Sequence, residues 1–443
     1  MNDYISRSAN EHFTKLIQFR QAEYGLMERA GDALFELGDA VVERRHVSSL
    51  AEYSCSPVYH RRWSSTYEAL DDGRLDRERG MRLCIAEIPE GERPILAGDH
   101  TAWPHLWAGT LVDRTFEHQS TPVPGRRPVT IGHGYSDIAW IPEKEGSWAL
   151  PLLVERISSE ETPCQKASQQ LERVCKEMKA RPIVLWNSEY GCATFLHQTA
   201  HIQADKVIRL RTNLCLCRKP DAYKGRGAKP KHGLPIKFHD PETWQSPDET
   251  HLMDRPGFGL ANVRIWKEVH FRQAADCPFI LAQVERLRGP YTRRNPQLLW
   301  FAWVGQDPPR ADWWEYYTRR YPIEHWHRFV KGRLHWTMPR LSTPERCQLW
   351  TDLLGLKTWE LWLARPIVCD NPLPWQKPRP VLAPGRVCQG MGGILAAIGT
   401  PTRWPKPRGN SPGWLTGRVR TRKERFKVIR SSRYKPKLQP STP

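Results

Sequence analysis

The sequence lacks the long apolar segments of membrane-spanning proteins and the regular cysteine pattern of small secreted proteins. No run of about 18 apolar residues occurs, so nothing is long enough to cross a bilayer as a helix, and no apolar segment follows the first residues. Apart from one Cys-x-Cys pair, the 11 cysteines lie scattered, which argues against the disulfide framework of a small secreted protein. We therefore expect an intracellular protein with reduced cysteines and no membrane span.

Acidic residues are almost missing from the last part of the chain. Residues 371–443 hold 16 Lys or Arg and the single acid Glu424, so they carry +15 of the total net charge of +19. This excess predicts binding to a polyanion, with nucleic acid as the first candidate. The segment is also rich in Pro and Gly, and we expect residues 418–437 to form a basic arm that is disordered without DNA.

The chain before this tail divides into four parts by composition. Residues 1–90 carry apolar residues at helical spacing, which predicts a helical domain. Its arginines make it a candidate DNA-binding domain, although an ordinary solvated helix face has the same pattern. Segments of strand and helix character alternate in residues 91–211, as is typical of an α/β fold. Residues 212–310 hold short β-prone pieces and predict an inserted strand-rich subdomain. The last part, residues 311–370, is predicted to contain helices over 322–336 and 344–364.

Two apolar segments of the α/β part end on polar side chains. Residues 94–97 lead to Gly98 and Asp99, and residues 182–186 lead to Asn187. A short apolar run that stops on a carboxylate predicts a buried strand with Asp99 at its carboxyl end. Such an Asp is a candidate catalytic residue, although turn and cap residues show the same pattern.

Four residues near the end of the folded part share the spacing Tyr317-x2-Arg320-x3-Glu324-x6-Lys331. At about 100° per residue, Arg320, Glu324 and Lys331 project within roughly 40° of one another on a helix. One carboxylate is then framed by cations on a single face, which suits a metal-binding acid held beside a phosphate backbone. Pro322 marks the start of the regular helix, with Tyr317 and Arg320 on its lead-in. An amphipathic helix with solvated charges is the alternative interpretation.

This segment resembles the Tyr-Arg-Glu-Lys signature of the DDE transposases of bacterial insertion sequences. Residues 98–104, 188–192 and 373–378 are similar to the same family. The resemblance implies an α/β fold with a ribonuclease-H-like catalytic core, interrupted by a β-rich insertion and flanked by an N-terminal helical domain and a basic C-terminal tail. It also implies a cytoplasmic bacterial protein associated with the nucleoid.

The resemblance further assigns roles to the candidate residues. Asp99 on the first strand, Asn187 on the fourth strand and Glu324 on a late helix would be the catalytic triad. This triad would hold two Mg2+ ions, with Mn2+ as a substitute. The DNA phosphates beside the metals would be positioned by Tyr317, Arg320 and Lys331.

The reaction that the resemblance implies is metal-dependent cleavage and strand transfer at the ends of an insertion sequence, by a cut-and-paste route with hairpin-ended excision. The implied partners are double-stranded DNA, as transposon ends and target, and a second copy of the chain in a synaptic homodimer. The family also uses a Trp to flip a base, but with 20 Trp residues the sequence does not assign that role. We expect Asp99, Asn187 and Glu324 to converge on one concave site with a basic rim.

One position departs from the family pattern, because an Asp is expected where Asn187 stands. The amide oxygen can still bind a metal, but one of three negative charges opposing two dications is lost, so we expect severe loss of activity. Glu189 follows two residues later on the presumed strand, hence on the same face, and is the nearest substitute. Asp205 and Glu155 are weaker substitutes.

Two other functions are consistent with the sequence. One is a transposase-derived protein that binds DNA without cleaving it, and the other is a globular RNA-binding protein. A zinc site at Cys215 and Cys217 with His232 and His239 is not expected, because Cys-x-Cys followed by lone His residues is not a typical zinc-ligand spacing.

Overall fold

A computed structural model of the chain describes residues 2–430 with several gaps. The residues left out are 1, 124–126, 224, 226–227, 256–257, 290, 293–295, 307, 309, 408–412, 414, 420 and 431–443. Among the described residues, no helix has the length and apolar character needed to cross a membrane.

Helices and strands alternate through most of the described chain. The α-helices are α1 Asn2–Tyr24, α2 Gly31–Glu43, α3 Ser64–Asp72, α4 Arg77–Ala86, α5 Pro163–Glu177, α6 Ala193–Thr199, α7 Tyr321–Gly332, α8 Pro344–Ala364 and α9 Pro384–Ile398. The strands are β1 Met27–Arg29, β2 Arg74–Leu75, β3 Ile95–Pro104, β4 Thr115–Val123, β5 Arg127–Trp140, β6 Leu150–Ile157, β7 Ile183–Trp186, β8 Asp205–Leu210, β9 Cys215–Cys217, β10 Pro235–Lys237, β11 Glu249–Arg255, β12 Gly259–Phe271, β13 Ala274–Arg286 and β14 Leu298–Val304. Short 3-10 helices cover Leu50–Cys55, Pro241–Thr243 and Trp313–Arg320.

Twelve of the described strands form one mixed sheet. At its centre β3 pairs in parallel with β7, and β7 pairs in parallel with β8. On the other side of β3 lies β5, antiparallel, which in turn pairs with β4 and β6. Beyond β8 the sheet continues through β14, β13 and β12, all antiparallel, to β11 and to the short strands β9 and β10. This arrangement confirms the α/β class predicted from the sequence.

The sequence explains why β7 lies at the centre. All four residues of Ile183–Trp186 are apolar and buried, as expected for a strand covered on both faces. Helix α5, which packs on β3, β5 and β6, begins at a capping box formed by Thr162 and Gln165, with Pro163 in its first turn. These start signals hold α5 in place over the strands that carry the candidate site.

The position of Asp99 differs from the prediction. Asp99 lies inside β3 rather than at its end, because the strand continues to Pro104. Pairing with β7 stops at Gly98 and Trp186, and the rest of β3 is held by β5 alone. The end of the parallel pairing, rather than the end of the strand, therefore marks the position of Asp99.

The two late helices confirm the predicted pattern. Helix α8 has the predicted limits, and α7 begins one residue before Pro322. The lead-in that carries Tyr317 and Arg320 is the 3-10 helix Trp313–Arg320. Helix α7 ends at Gly332 instead of the predicted 336, since the backbone at His335 is left-handed, with φ of 55°.

The described part of the basic tail is more ordered than predicted. Helix α9 falls in this region, and its apolar face is buried. Further along, the Phe426 amide donates to the Gly109 carbonyl and the Ile429 amide donates to the Arg114 carbonyl. The arm predicted to be disordered over 418–437 is therefore held against the sheet before residue 430. Its remaining part, 431–437, lies outside the described residues.

A buried group of charges joins the N-terminal helices to α8. Arg20 of α1 contacts Asp39 of α2 at 2.8 Å and Glu360 of α8 at 2.6 Å. Lys357 contacts Asp39 at 3.1 Å, Glu23 at 3.0 Å and also Glu360. All five side chains are buried, so two cations face three carboxyl groups out of contact with water. Burial, reinforced by the neighbouring Glu360, raises the pKa of Glu23 well above its ordinary value, which makes Glu23 the neutral member.

Replacing Glu23 with Gln tests this charge balance. The folded wild-type protein keeps the Glu23 proton, whereas the unfolded chain releases it as the pH rises above the ordinary carboxyl pKa, so wild-type stability falls with pH. Gln has no proton to release. We expect the unfolding free energy of Glu23→Gln to rise relative to wild type between pH 5 and pH 8, by up to about 1.4 kcal/mol per pH unit, in urea titrations.

The control is Lys357→Met, which leaves Arg20 as the single cation facing Asp39 and Glu360. It should lose about 3–5 kcal/mol of unfolding free energy at neutral pH. If the difference in unfolding free energy between Glu23→Gln and wild type stays constant from pH 5 to pH 8, Glu23 is ionised in the folded protein and the proposed balance is wrong.

Candidate active site

Asp99 and Asn187 lie side by side where the parallel pairing of β3 and β7 ends. Asn187 Nδ2 donates to Asp99 Oδ1 at 2.8 Å, and Asn187 Oδ1 accepts from the Glu189 amide at 2.8 Å. Gly98 is required next to this contact, because a Cβ there would lie 2.0 Å from the ring of Trp186. The strands thus bring together two residues that are 88 positions apart in the sequence.

Arg320 joins Asp99 to Glu324. Its Nη2 lies 2.5 Å from Asp99 Oδ2, and its Nη1 lies 3.0 Å from Glu324 Oε1. Arg320 is buried, whereas the Glu324 side chain is 50% exposed. Burial alone would raise the pKa of Asp99, but the charge of Arg320, together with smaller contributions from His327 and His100, outweighs it and holds that pKa below its ordinary value. The single guanidinium of Arg320 therefore contacts both Asp99 and Glu324 and holds them close together.

A further acid, Asp137, lies opposite Asp99 on the neighbouring strand β5. It is 1% exposed, and His327 Nε2 of α7 lies 3.1 Å from its Oδ1. Burial, with a smaller contribution from the charge of Asp99, raises the pKa of Asp137, while His327 opposes this rise. Directly opposite residues of antiparallel strands face the same side of a sheet, so Asp137 belongs to the same site as Asp99.

The sequence interpretation missed Asp137 and His327. His327 follows Glu324 by three positions and so shares its helix face, a signal that was available. An acid directly before the apolar run 138–141 was the corresponding signal for Asp137. Its register against Asp99, however, depends on how two strands pair, which local patterns do not specify.

The remaining signature residues lie around this group. Lys331 Nζ donates to Thr101 Oγ1 at 2.6 Å and lies 5.7 Å from the ring centroid of Trp336. Burial lowers the pKa of Lys331 to about 8, although the charges of the two nearby aspartates oppose the shift. Tyr317 is half-buried and packs on Phe301, with ring centroids 5.2 Å apart. Lys331 therefore reaches β3, while Tyr317 packs against Phe301 of β14.

None of the substitutes suggested for the missing acid joins Asp99 directly. Glu189 is not on the strand, because β7 ends at Trp186; it is half-exposed and lies 3.3 Å from His100 Nε2. Asp205 begins β8 at the opposite end and binds Arg181 at 2.7 Å. The last candidate, Glu155, pairs with the residue before Asp137, so it faces the opposite side of the sheet.

The donor set suits a hard divalent cation. Asp99, Asp137 and Glu324 offer carboxylate oxygens and Asn187 an amide oxygen, the ligand types that Mg2+ prefers. In this structure side chains from the α7 region hold these acids: Arg320 contacts Asp99 and Glu324, and His327 contacts Asp137. Among the described residues, the groups of three potential ligands within 4.8 Å of one another lie elsewhere. A bound metal ion would therefore replace Arg320 as the positive charge that balances Asp99 and Glu324.

Comparison with known proteins agrees with this chemistry. The family model described as DDE superfamily endonuclease matches residues 25–275, which include Asp99, Asp137 and Asn187 but not α7. No curated protein matches the chain. Because the match spans more than half of the sequence, the chain belongs to the DDE superfamily of endonucleases.

Proposed function

We propose that the protein is a DNA transposase of the insertion-sequence type, which cleaves and joins phosphodiester bonds with divalent metal ions. The observation that carries the proposal is the contact of one guanidinium, that of Arg320, with both Asp99 and Glu324. These two acids come from a central strand and a late helix, as the transposase triad requires. An amphipathic helix with solvated charges does not account for a buried Arg between two acids.

The sheet order supports a ribonuclease-H-like core. The strands β6, β5 and β3 are antiparallel neighbours, and β3, β7 and β8 are parallel neighbours, with Asp99 and Asn187 at the point where the parallel pairing ends. The strands β9–β14 lie between β8 and α7 in the chain, where the transposase family carries its insertion. The predicted domain limits at 90, 211, 310 and 370 are part of this proposal.

The metal site of the proposal is formed by Asp99, Glu324 and the residue at position 187. Two Mg2+ ions, or Mn2+ in their place, would activate a water or a 3′-hydroxyl and stabilise the leaving oxygen. Arg320 and Lys331 supply positive charge beside Asp99 and Thr101, where a phosphate of bound DNA would accept hydrogen bonds from them. Tyr317 would contact the same DNA strand.

The hydrogen bonds of Asn187 support an enzyme with weakened cleavage activity. Its amide group donates to Asp99, and its oxygen accepts from a backbone amide, so both ends are occupied without a metal. This observation favours the alternative function, a transposase-derived protein that binds DNA without cleaving it. Asp137, which lies beside Asp99, is the acid that we propose as a partial substitute for the missing carboxylate.

The proposed partners are double-stranded DNA and a second copy of the chain, assembled on paired transposon ends in the bacterial nucleoid. The positive charge of the tail supports the first partner. Binding that weakens steeply with salt and prefers duplex DNA over RNA is expected, and a preference for RNA would favour the globular RNA-binding alternative instead.

Restoring the acid with Asn187→Asp tests the metal site. Without metal, the new carboxylate faces Asp99 and removes a hydrogen bond to a charged group, a loss of about 1.5–3 kcal/mol of unfolding free energy. We expect Mg2+ to raise the melting temperature of this variant more than that of the original protein. Cleavage of duplex DNA carrying the element's ends should increase about tenfold or more with Mg2+ or Mn2+.

The control for this test is Asp99→Asn, which should abolish both the Mg2+-dependent melting shift and the cleavage in the Asn187→Asp background. Cleavage by the unchanged protein as fast as by Asn187→Asp would reject the non-cleaving alternative. Equal Mg2+ effects on the two proteins, with no cleavage by either, would count against the metal site itself.

Arg320→Ala tests the bridge between the acids. It leaves Asp99 buried without its main opposing charge, so we expect a loss of about 3–5 kcal/mol of unfolding free energy in the absence of metal. The matched control is Arg328→Ala, which removes the same charge from an exposed position of α7 and should change stability by less than about 0.5 kcal/mol. Urea unfolding measures both. Equal losses for the two variants would show that Arg320 does not hold the site together.

A further inference from the structure

A second group of potential metal ligands lies in the strand-rich region, away from the acids. Cys217 ends β9, His270 lies near the end of β12, and the sheet register pairs them directly. His232 comes from the loop 218–234, and its Nδ1 lies 3.1 Å from His270 Nε2. The Cys217 sulfur and the two nitrogens all lie within 4.8 Å of one another. Cys217 is 7% and His270 3% exposed, while His232 is half-buried.

The backbone holds these three residues in place. The Arg218 amide donates to the Leu234 carbonyl at 3.0 Å, and the Gly233 amide donates to the Arg218 carbonyl at 2.9 Å, so the loop is closed directly beside His232. Gly233 is needed for this closure, because a Cβ there would lie 2.3 Å from the Lys219 carbonyl oxygen. Two ligands are thus fixed by strand pairing and the third by the closed base of a loop.

We propose that Cys217, His232 and His270 bind one zinc ion, with water as the fourth ligand. A thiolate with two imidazoles is a typical zinc donor set, and a soft sulfur ligand disfavours Mg2+. Two nitrogens each about 2.05 Å from a tetrahedral zinc lie about 3.3 Å apart, close to the observed separation. Cys215 lies on the same face of β9 but is exposed and does not belong to the group.

The protonation state of His270 suits this role, whereas that of Cys217 opposes it. Burial lowers the pKa of His270, which favours the neutral imidazole that binds metals. Burial also raises the pKa of the Cys217 thiol, so metal binding would displace a proton from it. In the absence of zinc, the two imidazoles form a hydrogen bond with each other.

Zinc at this site would fasten the loop 218–234 to β12. The loop carries exposed lysines, among them Lys219, Lys229 and Lys231. A fixed loop presents these charges at a constant position, and the ion adds to the positive field around them. The proposal does not depend on the catalytic role of the acidic site, so the two are tested separately.

Cobalt binding to the full-length, metal-free protein tests the site. Co2+ bound through Cys217 should give the charge-transfer absorption of a cobalt–thiolate bond, and Cys217→Ser should abolish it. Cys215→Ser and Cys277→Ser are the matched controls and should keep it, since Cys277 belongs to a different group of ligands. His232→Gln, a change at a half-buried loop residue, should weaken Co2+ and Zn2+ binding about tenfold or more while the near-ultraviolet circular dichroism stays unchanged.

Zinc should also slow trypsin cleavage after Lys231, the residue before His232, several-fold in the original protein, and not in His232→Gln. The proposal is overturned if the original protein shows no cobalt–thiolate absorption, or if Cys217→Ser keeps that absorption. Unchanged trypsin cleavage with zinc bound would overturn the fastening of the loop.

Discussion

The central constraint on this fold is that acids from distant parts of the chain meet where water is largely excluded. Asp99 and Asp137 face each other across two strands, and like charges at such a position repel strongly. Arg320 and His327 resolve the conflict, because each brings a cation or hydrogen-bond donor from the α7 region to one of the two acids. The placement of α7 over β3 is therefore an electrostatic requirement as well as a packing one.

The structure holds α7 at both ends. Its first turn is fixed by Arg320, and Lys331 near its end donates to Thr101 of β3. Just beyond, Arg333 donates to the carbonyls of Val42 and Arg44 at 2.8 Å each, at the end of α2. These carbonyls lack partners within their own helix, so the guanidinium both caps α2 and aligns α7. The helix that carries Glu324 is thereby positioned by the sheet on one side and by the N-terminal helices on the other.

Local sequence patterns predicted individual strands and helices, but not the contacts that depend on the register of paired strands. An apolar run placed β7, helical spacing of apolar residues placed α8, and a fixed spacing linked Arg320 with Glu324. Asp137 was not predicted because its cross-strand partner, Asp99, is 38 residues away in an antiparallel pairing. His270 was not linked to Cys217 for the same reason, since strand pairing brings them together. Glu189 was misplaced because the Asn187 side chain accepts from the backbone two residues later, a turn that ends the strand.

The N-terminal helices are bound to the site through charge rather than through apolar contact alone. Asp39 of α2 and Glu360 of α8 share Arg20 and Lys357 in a buried group, a few residues along α2 from the carbonyls that Arg333 caps. Buried ion pairs contribute little net stability but penalise alternative arrangements, because any shift leaves a charge unpaired. The helices before residue 90 are thus fixed in register against α8 and α7. The position of these helices relative to Asp99 is therefore set by the same charges that hold the fold together.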